Sequence, residues 1–168
     1  MAASSRGEKR GGGGGSESQA KELCLRLLSI RGYTSAELGA KLAARGFESD
    51  VAHRAIVRLT EVGLIDDHAY AQMFARTRHR DRRGKRVIAM ELKRKGIPEE
   101  EVVEAVSQVS DDDERAVAVE LVRKAMQRAD EPTDAVERSR QMRRALGMLA
   151  RRGFDAGLAT EVVRSAYR

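Results

Sequence analysis

Ten basic side chains crowd residues 76–95: Arg76, Arg78, Arg80, Arg82, Arg83, Lys85, Arg86, Lys93, Arg94 and Lys95. They stand against two acids, Asp81 and Glu91, so the stretch carries +8 in a 168-residue chain whose total is +6. Guanidinium and ammonium groups gathered this way recognise phosphates or carboxylates, and the summed field speeds encounter with anionic partners. Residues 138–168 add a second basic zone of eight bases and two acids that contains Arg143, Arg144, Arg151 and Arg152. Between the two zones, residues 96–137 carry thirteen acids and four bases. Arginines on solvated helix faces ordinarily pair with acids at i,i+4. Here Arg76, Arg78, Arg80, Arg82, Arg83, Lys85 and Arg86 have almost no acids nearby in sequence. Their mutual repulsion favours a binding surface whose partner brings the negative charge.

The other chemistry-bearing residues do not assemble a catalytic set. His53, His68 and His79 are isolated, with neither H-x-x-x-H nor C-x-x-C spacing, and Asp66-Asp67-His68 is the one trio worth testing as a metal site. Asp66 reads better as a helix N-cap and Asp67 as a first-turn acid. The single cysteine, Cys24, lies in an apolar run and reads as a buried thiol; it excludes an internal disulfide framework and fits a reducing cytosol. The run Gly11 to Gly15 lacks the strand, helix and G-K-[ST] of a phosphate loop, and Gly84-Lys85 lacks its first glycine. No enzyme, cofactor or metal is expected. Tyr70, Phe74, Phe47, Phe154 and Tyr167 fall at core positions of helices, where packing is favoured over base stacking.

The elements that carry these residues are helical throughout. Hydrophobic residues are 41% of the chain, charged residues 35% and aromatics 4%, the usage of helical modules with thin cores. Residues 1–17 are expected to form a flexible Gly-rich tail. Ser18 caps a helix with Leu23, Leu27, Leu28 and Ile30 inward; Thr34 to Glu37 has the spacing of a capping box; a third helix runs from about 49 to 62 and closes at Gly63. The next leading helix is expected at 67–80 with Tyr70, Met73 and Phe74 inward and Ala71 and Ala75 allowing close approach, then helices at 83–95, 98–109, 116–128, 136–152 and 155–167.

One signature recurs three times: leucine four residues before a glycine, a basic residue directly before it and a large apolar residue directly after it. Leu42, Arg45, Gly46 and Phe47 match Leu92, Lys95, Gly96 and Ile97, and then Leu149, Arg152, Gly153 and Phe154. Glycine after a helix adopts the left-handed conformation at little cost, and the next apolar residue packs back on the helix just ended. The expected fold is all-α, an elongated, curved tandem array of three three-helix repeats at 18–65, 66–110 (basic) and 111–168.

Within the central stretch, Gly63, Leu64, Ile65, Asp66 and Asp67, then Tyr70, Ala71 and Phe74, then Arg78, Gly84, Ile88, Glu91, Leu92, Lys95, Gly96 and Ile97 follow in a fixed order. In that order and spacing the chain resembles the RecX family, bacterial regulators of the RecA recombinase. The resemblance runs from about residue 21 to the C-terminus and is strongest over 63–106. It implies a protein lying in the groove of the RecA filament on single-stranded DNA, where it inhibits strand exchange and the filament's ATPase and so modulates recombination, DNA repair and the SOS response. The partners it implies are that filament and the single strand inside it. A cytoplasmic monomer with no membrane contact is expected.

The competing reading is a helix-turn-helix transcription regulator built on residues 34–65. A recognition helix offers Arg, Lys, Asn or Gln from its first turn. That turn here is Glu48-Ser49-Asp50, which would meet phosphates with negative charge.

Overall fold

A computed structural model of the chain describes residues 15–168; residues 1–14 of the expected tail lie outside them, and Glu17 at its end is already helical. Among the described residues there are nine helices and no strand: α1 Glu17–Leu28, α2 Ser35–Ala43, α3 Ser49–Glu61, α4 Asp67–Arg80, α5 Lys85–Arg94, α6 Glu99–Ser107, α7 Asp111–Gln127, α8 Ala135–Arg151 and α9 Ala156–Ala166. The chain forms two compact units, one ending at Asp66 and the other spanning Asp67–Arg168. The first unit is one helix triple, α1–α3; the second holds two, α4–α6 and α7–α9. In each triple the first and third helices pack together, and the middle helix lies against the third.

Caps set most of the boundaries. Ser16 and Gln19 form a capping box that opens α1 two residues before the expected Ser18, and Thr34 with Glu37 forms the expected box on α2. The Ser110 hydroxyl accepts the Asp113 amide and opens α7 five residues early; the acids Asp111 to Glu114 in that first turn suit the positive end of the helix dipole. A helix is already under way at Asp67, where the wing strand of a winged-helix module would follow.

Each triple has its own apolar centre. Leu38, Leu42 and Cys24 are fully buried in the first, Ile88, Leu92 and Ala75 in the second, Leu149, Val122 and Val163 in the third. Burying a leucine or isoleucine of this kind contributes about 1.5–3 kcal/mol, so each small centre rests on a handful of side chains. Burial also pushes the Cys24 thiol pKa up, as an inert packed cysteine requires. Two residues expected inside are not: Ile30, past the end of α1, is 76% exposed, and Met73 on α4 is 52% exposed. Ala71 and Ala75, not Met73, make the close face of α4, because the small side chains let α6 approach.

The recurring leucine-glycine signature has one geometric meaning. Gly46, Gly96 and Gly153 have φ of 81°, 78° and 85°, and past each the apolar residue's amide donates to the leucine carbonyl five residues back: Phe47 to Leu42, Ile97 to Leu92 and Phe154 to Leu149. Nothing lies within 4 Å of a Cβ built at Gly46, so Gly46→Ala meets only the conformational penalty. We expect it to lower unfolding free energy by about 1 kcal/mol with an unchanged denaturant slope in urea titration.

Candidate functional site

The α4–α5 turn repeats this helix-ending geometry with different residues. The Arg83 amide donates to the Arg78 carbonyl, and Arg82 takes the left-handed position at φ 59° that glycine holds elsewhere. Arg82 is the one non-glycine residue with positive φ among those described. Its guanidinium reaches α7, with Nη2 3.0 Å from Glu120 Oε1 and Nε 3.4 Å from Oε2. Arg82, and Lys124 after it, hold the Glu120 carboxyl at a pKa of about 2.

Past this turn, α5 begins without a side-chain cap of its own. Its first amides are satisfied by the third triple. Gly84 N donates to the Arg152 carbonyl at 2.8 Å, Arg86 N to the Gly153 carbonyl at 3.1 Å, and Lys85 N to Oε1 of Glu114 at 2.8 Å. Glu114 is only 6% exposed. The C-terminal carbonyls of α8 thus meet the N-terminal amides of α5, head to tail, and the two helix dipoles neutralise each other at the contact. A Cβ on Gly84 would stand 2.5 Å from the Gly153 carbonyl atoms, and a Cβ on Gly153 would stand 2.4 Å from Val87 N. Backbones come this close only because both residues are glycine.

The basic residues therefore divide. Lys85 Nζ pairs with Asp111 at 2.5 Å, Arg86 with Asp155 at 3.6 Å and Lys93 with Glu99 at 2.7 Å, while Arg76 donates to Gln108 at 3.1 Å. Lys85 lowers the Asp111 pKa; Asp155, the N-cap of α9, is lowered first by the Gly157 amide that donates to it. Arg78 sits 5.0 Å over the Phe74 ring with Nε 2.8 Å from Glu91 Oε2, a charge contact without hydrogen-bond alignment. Lys95 lies 5.5 Å over both Tyr70 and Phe74, which stack at 6.0 Å and pack on the core of their triple. The expectation that these cations lack acidic neighbours is corrected: Glu120, Glu114, Asp111 and Asp155 come from residues 26 to 69 positions further along the chain. Among the described residues, Arg80, Arg83, Arg94, Arg143, Arg144 and Arg151 make no ion pair.

Two repeats bring four arginines to one place. Arg78, Arg83, Arg151 and Arg152 line an open depression with Asp81 and Met148. Arg152 is held by its Nη1, 3.3 Å from the Arg82 carbonyl. Arg143 and Arg144 lie elsewhere on α8, and Arg94 is at the far end of α5. The charge counts missed the acidic partners because they were made locally. The run Asp111 to Glu114, directly after the basic stretch, was the available signal. Asp66 precedes α4 and Asp67 is its first residue, while the neighbouring His68 meets the Gln72 amide and the Glu104 carboxylate; among the described residues no cluster of three His, Cys, Asp or Glu is placed to hold a metal.

Residues 20–59 match the model of the first three-helix domain of RecX, and residues 66–106 that of the second. Over 148 residues the chain is 43% identical to the regulatory protein RecX of Mycolicibacterium smegmatis, spanning 88% of this chain and 79% of that one. The chain belongs to the RecX family. The RecX regulatory protein of Mycobacterium tuberculosis is 39% identical over 148 residues, with 88% of this chain and 85% of that one covered. A crystal structure of regulatory protein RecX superposes with a TM-score of 0.74 at 25% identity, covering 89% of this chain and 71% of the other. RecX from Lactobacillus salivarius has the same fold, with a TM-score of 0.77 at 23% identity over 89% and 95% of the two chains. Both RecX domain models end before α7, so Arg143, Arg144, Arg151 and Arg152 lie outside the matched segments, whereas Gly84 lies inside the second. No helix among the described residues is long and apolar enough to cross a membrane.

Proposed function

We propose that this RecX-family protein binds in the groove of a RecA filament assembled on single-stranded DNA and there inhibits strand exchange and ATP hydrolysis. The observation that supports this most is the convergence of Arg78, Arg83, Arg151 and Arg152 from two repeats on one surface. A filament groove presents DNA phosphates beside protein carboxylates, and suits a chain that carries both basic surface and the acidic stretch 96–137. Inhibition needs no catalysis. A ligand that binds one filament state more tightly than the other holds it there, and hydrolysis and exchange both require cycling between states. In this reading the protein acts in the cytoplasm as a monomeric, non-enzymatic modulator of recombination, repair and the SOS response.

The test is capture by RecA filaments formed on single-stranded DNA with a non-hydrolysable nucleotide, alongside the filament's ATPase rate. We expect co-sedimentation with the filament and a dose-dependent fall in ATPase. Sequence-preferring binding to bare duplex DNA, with no filament capture, would replace this reading by the transcription-regulator one.

A further inference from the structure

The depression between the second and third triples has the features of a built anion site. Its volume is about 600 Å³, and it is lined by four arginines and one acid, Asp81, which pairs with Arg78 at 3.8 Å. Two of the four are fixed in advance: Arg78 by Phe74 and Glu91, Arg152 by the Arg82 carbonyl. The other two, Arg83 and Arg151, have no acid of their own among the described residues. Arg83 is the residue past the left-handed turn, where the three leucine-glycine helix ends place Phe47, Ile97 and Phe154, which pack on their cores. The negative end of α8, which points at this region and would repel an anion, is cancelled because its last carbonyls accept the amides of Gly84 and Arg86.

We propose that this depression binds the phosphodiester backbone of a single nucleic-acid strand, with Arg78 and Arg152 as preset contacts and Arg83 and Arg151 supplying the uncompensated charge. Planar guanidiniums offer phosphate oxygens paired donors, and Met148 offers an apolar wall for a sugar or base edge. A depression of about 600 Å³ is too small to take in a duplex. The assignment rests on the filament reading for its choice of a single strand, and it says which component of the filament this surface would meet.

The test is fluorescence-anisotropy titration of a labelled oligothymidylate with the full chain, from 50 to 200 mM salt, for wild type, Arg83→Ala/Arg151→Ala and Arg164→Ala. Arg164, exposed on α9 outside the depression, is the matched charge control. At the lowest salt we expect the double variant to bind at least about tenfold more weakly, with a salt slope shallower by roughly 1.4, the release expected for two single-strand phosphate contacts. Arg164→Ala should match wild type, and circular dichroism should show the same helix content in all three. If the double variant keeps wild-type affinity and slope, the depression is not a phosphodiester site. The same result follows if wild type ignores the oligonucleotide while the double variant loses filament capture, since the surface then meets protein carboxylates. Oligonucleotide binding lost with the arginines, in a protein that never captures the filament, supports the site and overturns the proposed function instead.

Discussion

Gly84→Ala is expected to lower unfolding free energy by about 3 kcal/mol, through loss of the contact between the second and third helix triples. The added methyl would lie 2.5 Å from the carbonyl carbon and oxygen of Gly153 and 2.6 Å from Phe154 N. All three are backbone atoms, so no flexible side-chain end is available to yield. Separation frees the Gly84 and Arg86 amides and the Lys85 amide, and takes from Glu114 the partner it has in the closed contact. Native-state hydrogen exchange should show those three amides losing protection first, while the Leu38 and Leu42 amides in the first unit keep theirs. Gly39→Ala supplies the contrast: its Cβ meets only Ile56 Cδ1 at an ordinary 3.6 Å inside α2, so the same chemical change should stabilise by up to about 1 kcal/mol. A Gly84→Ala protein within about 0.5 kcal/mol of wild type in urea titration would mean that the two triples are not held by this contact. Because Arg83 and Arg151 come from different triples, the variant should also lose oligonucleotide affinity.

Local signals predicted the helices and their ends well. Caps, glycine positions and apolar spacing lie within one element, so Thr34, Gly46, Gly96 and Gly153 could be read from neighbours in the chain. The errors lie where the deciding partner is remote. Met73 sits on a helix whose close face is made by Ala71 and Ala75, as their small size predicts, but apolar character alone did not show that Met73 falls off that face. Gly84 stood in the family pattern with no local reason, since its φ is an ordinary −78°; the reason is Gly153, 69 residues later. Arg82 and Arg83 are adjacent and chemically identical, yet one is bound to Glu120 and the other makes no ion pair, because the left-handed turn sends them in different directions. Composition counts both as free charge. Geometry ties the first to Glu120 on α7 and leaves the second without an ion pair, which is why the proposed site takes only the second.

That difference makes Arg82 the more informative target. Arg82→Glu sets a carboxylate against Glu120 and Lys124 has to serve both, so this variant should unfold at lower denaturant than Arg82→Ala, and Arg82→Glu/Glu120→Arg should recover most of the loss. Arg82→Gly separates backbone from charge, relieving about 1 kcal/mol of left-handed strain while removing the partner of Glu120. The acid limb of stability follows from the same pair. Glu120 has its folded pKa depressed to about 2 from 4.5, first by Arg82 and then by Lys124. A depressed carboxylate pKa stabilises fully above the unfolded value and loses that contribution as pH falls from about 4.5 toward 2. Glu120→Gln should therefore flatten the stability profile across that window and leave it parallel to wild type above pH 5. If Arg82→Glu is as stable as wild type and Glu120→Gln does not alter the acid limb, Arg82 faces solvent or a partner. In that event its charge belongs with Arg83 on the binding surface, and the separation of structural from recognising arginines has to be redrawn at this turn.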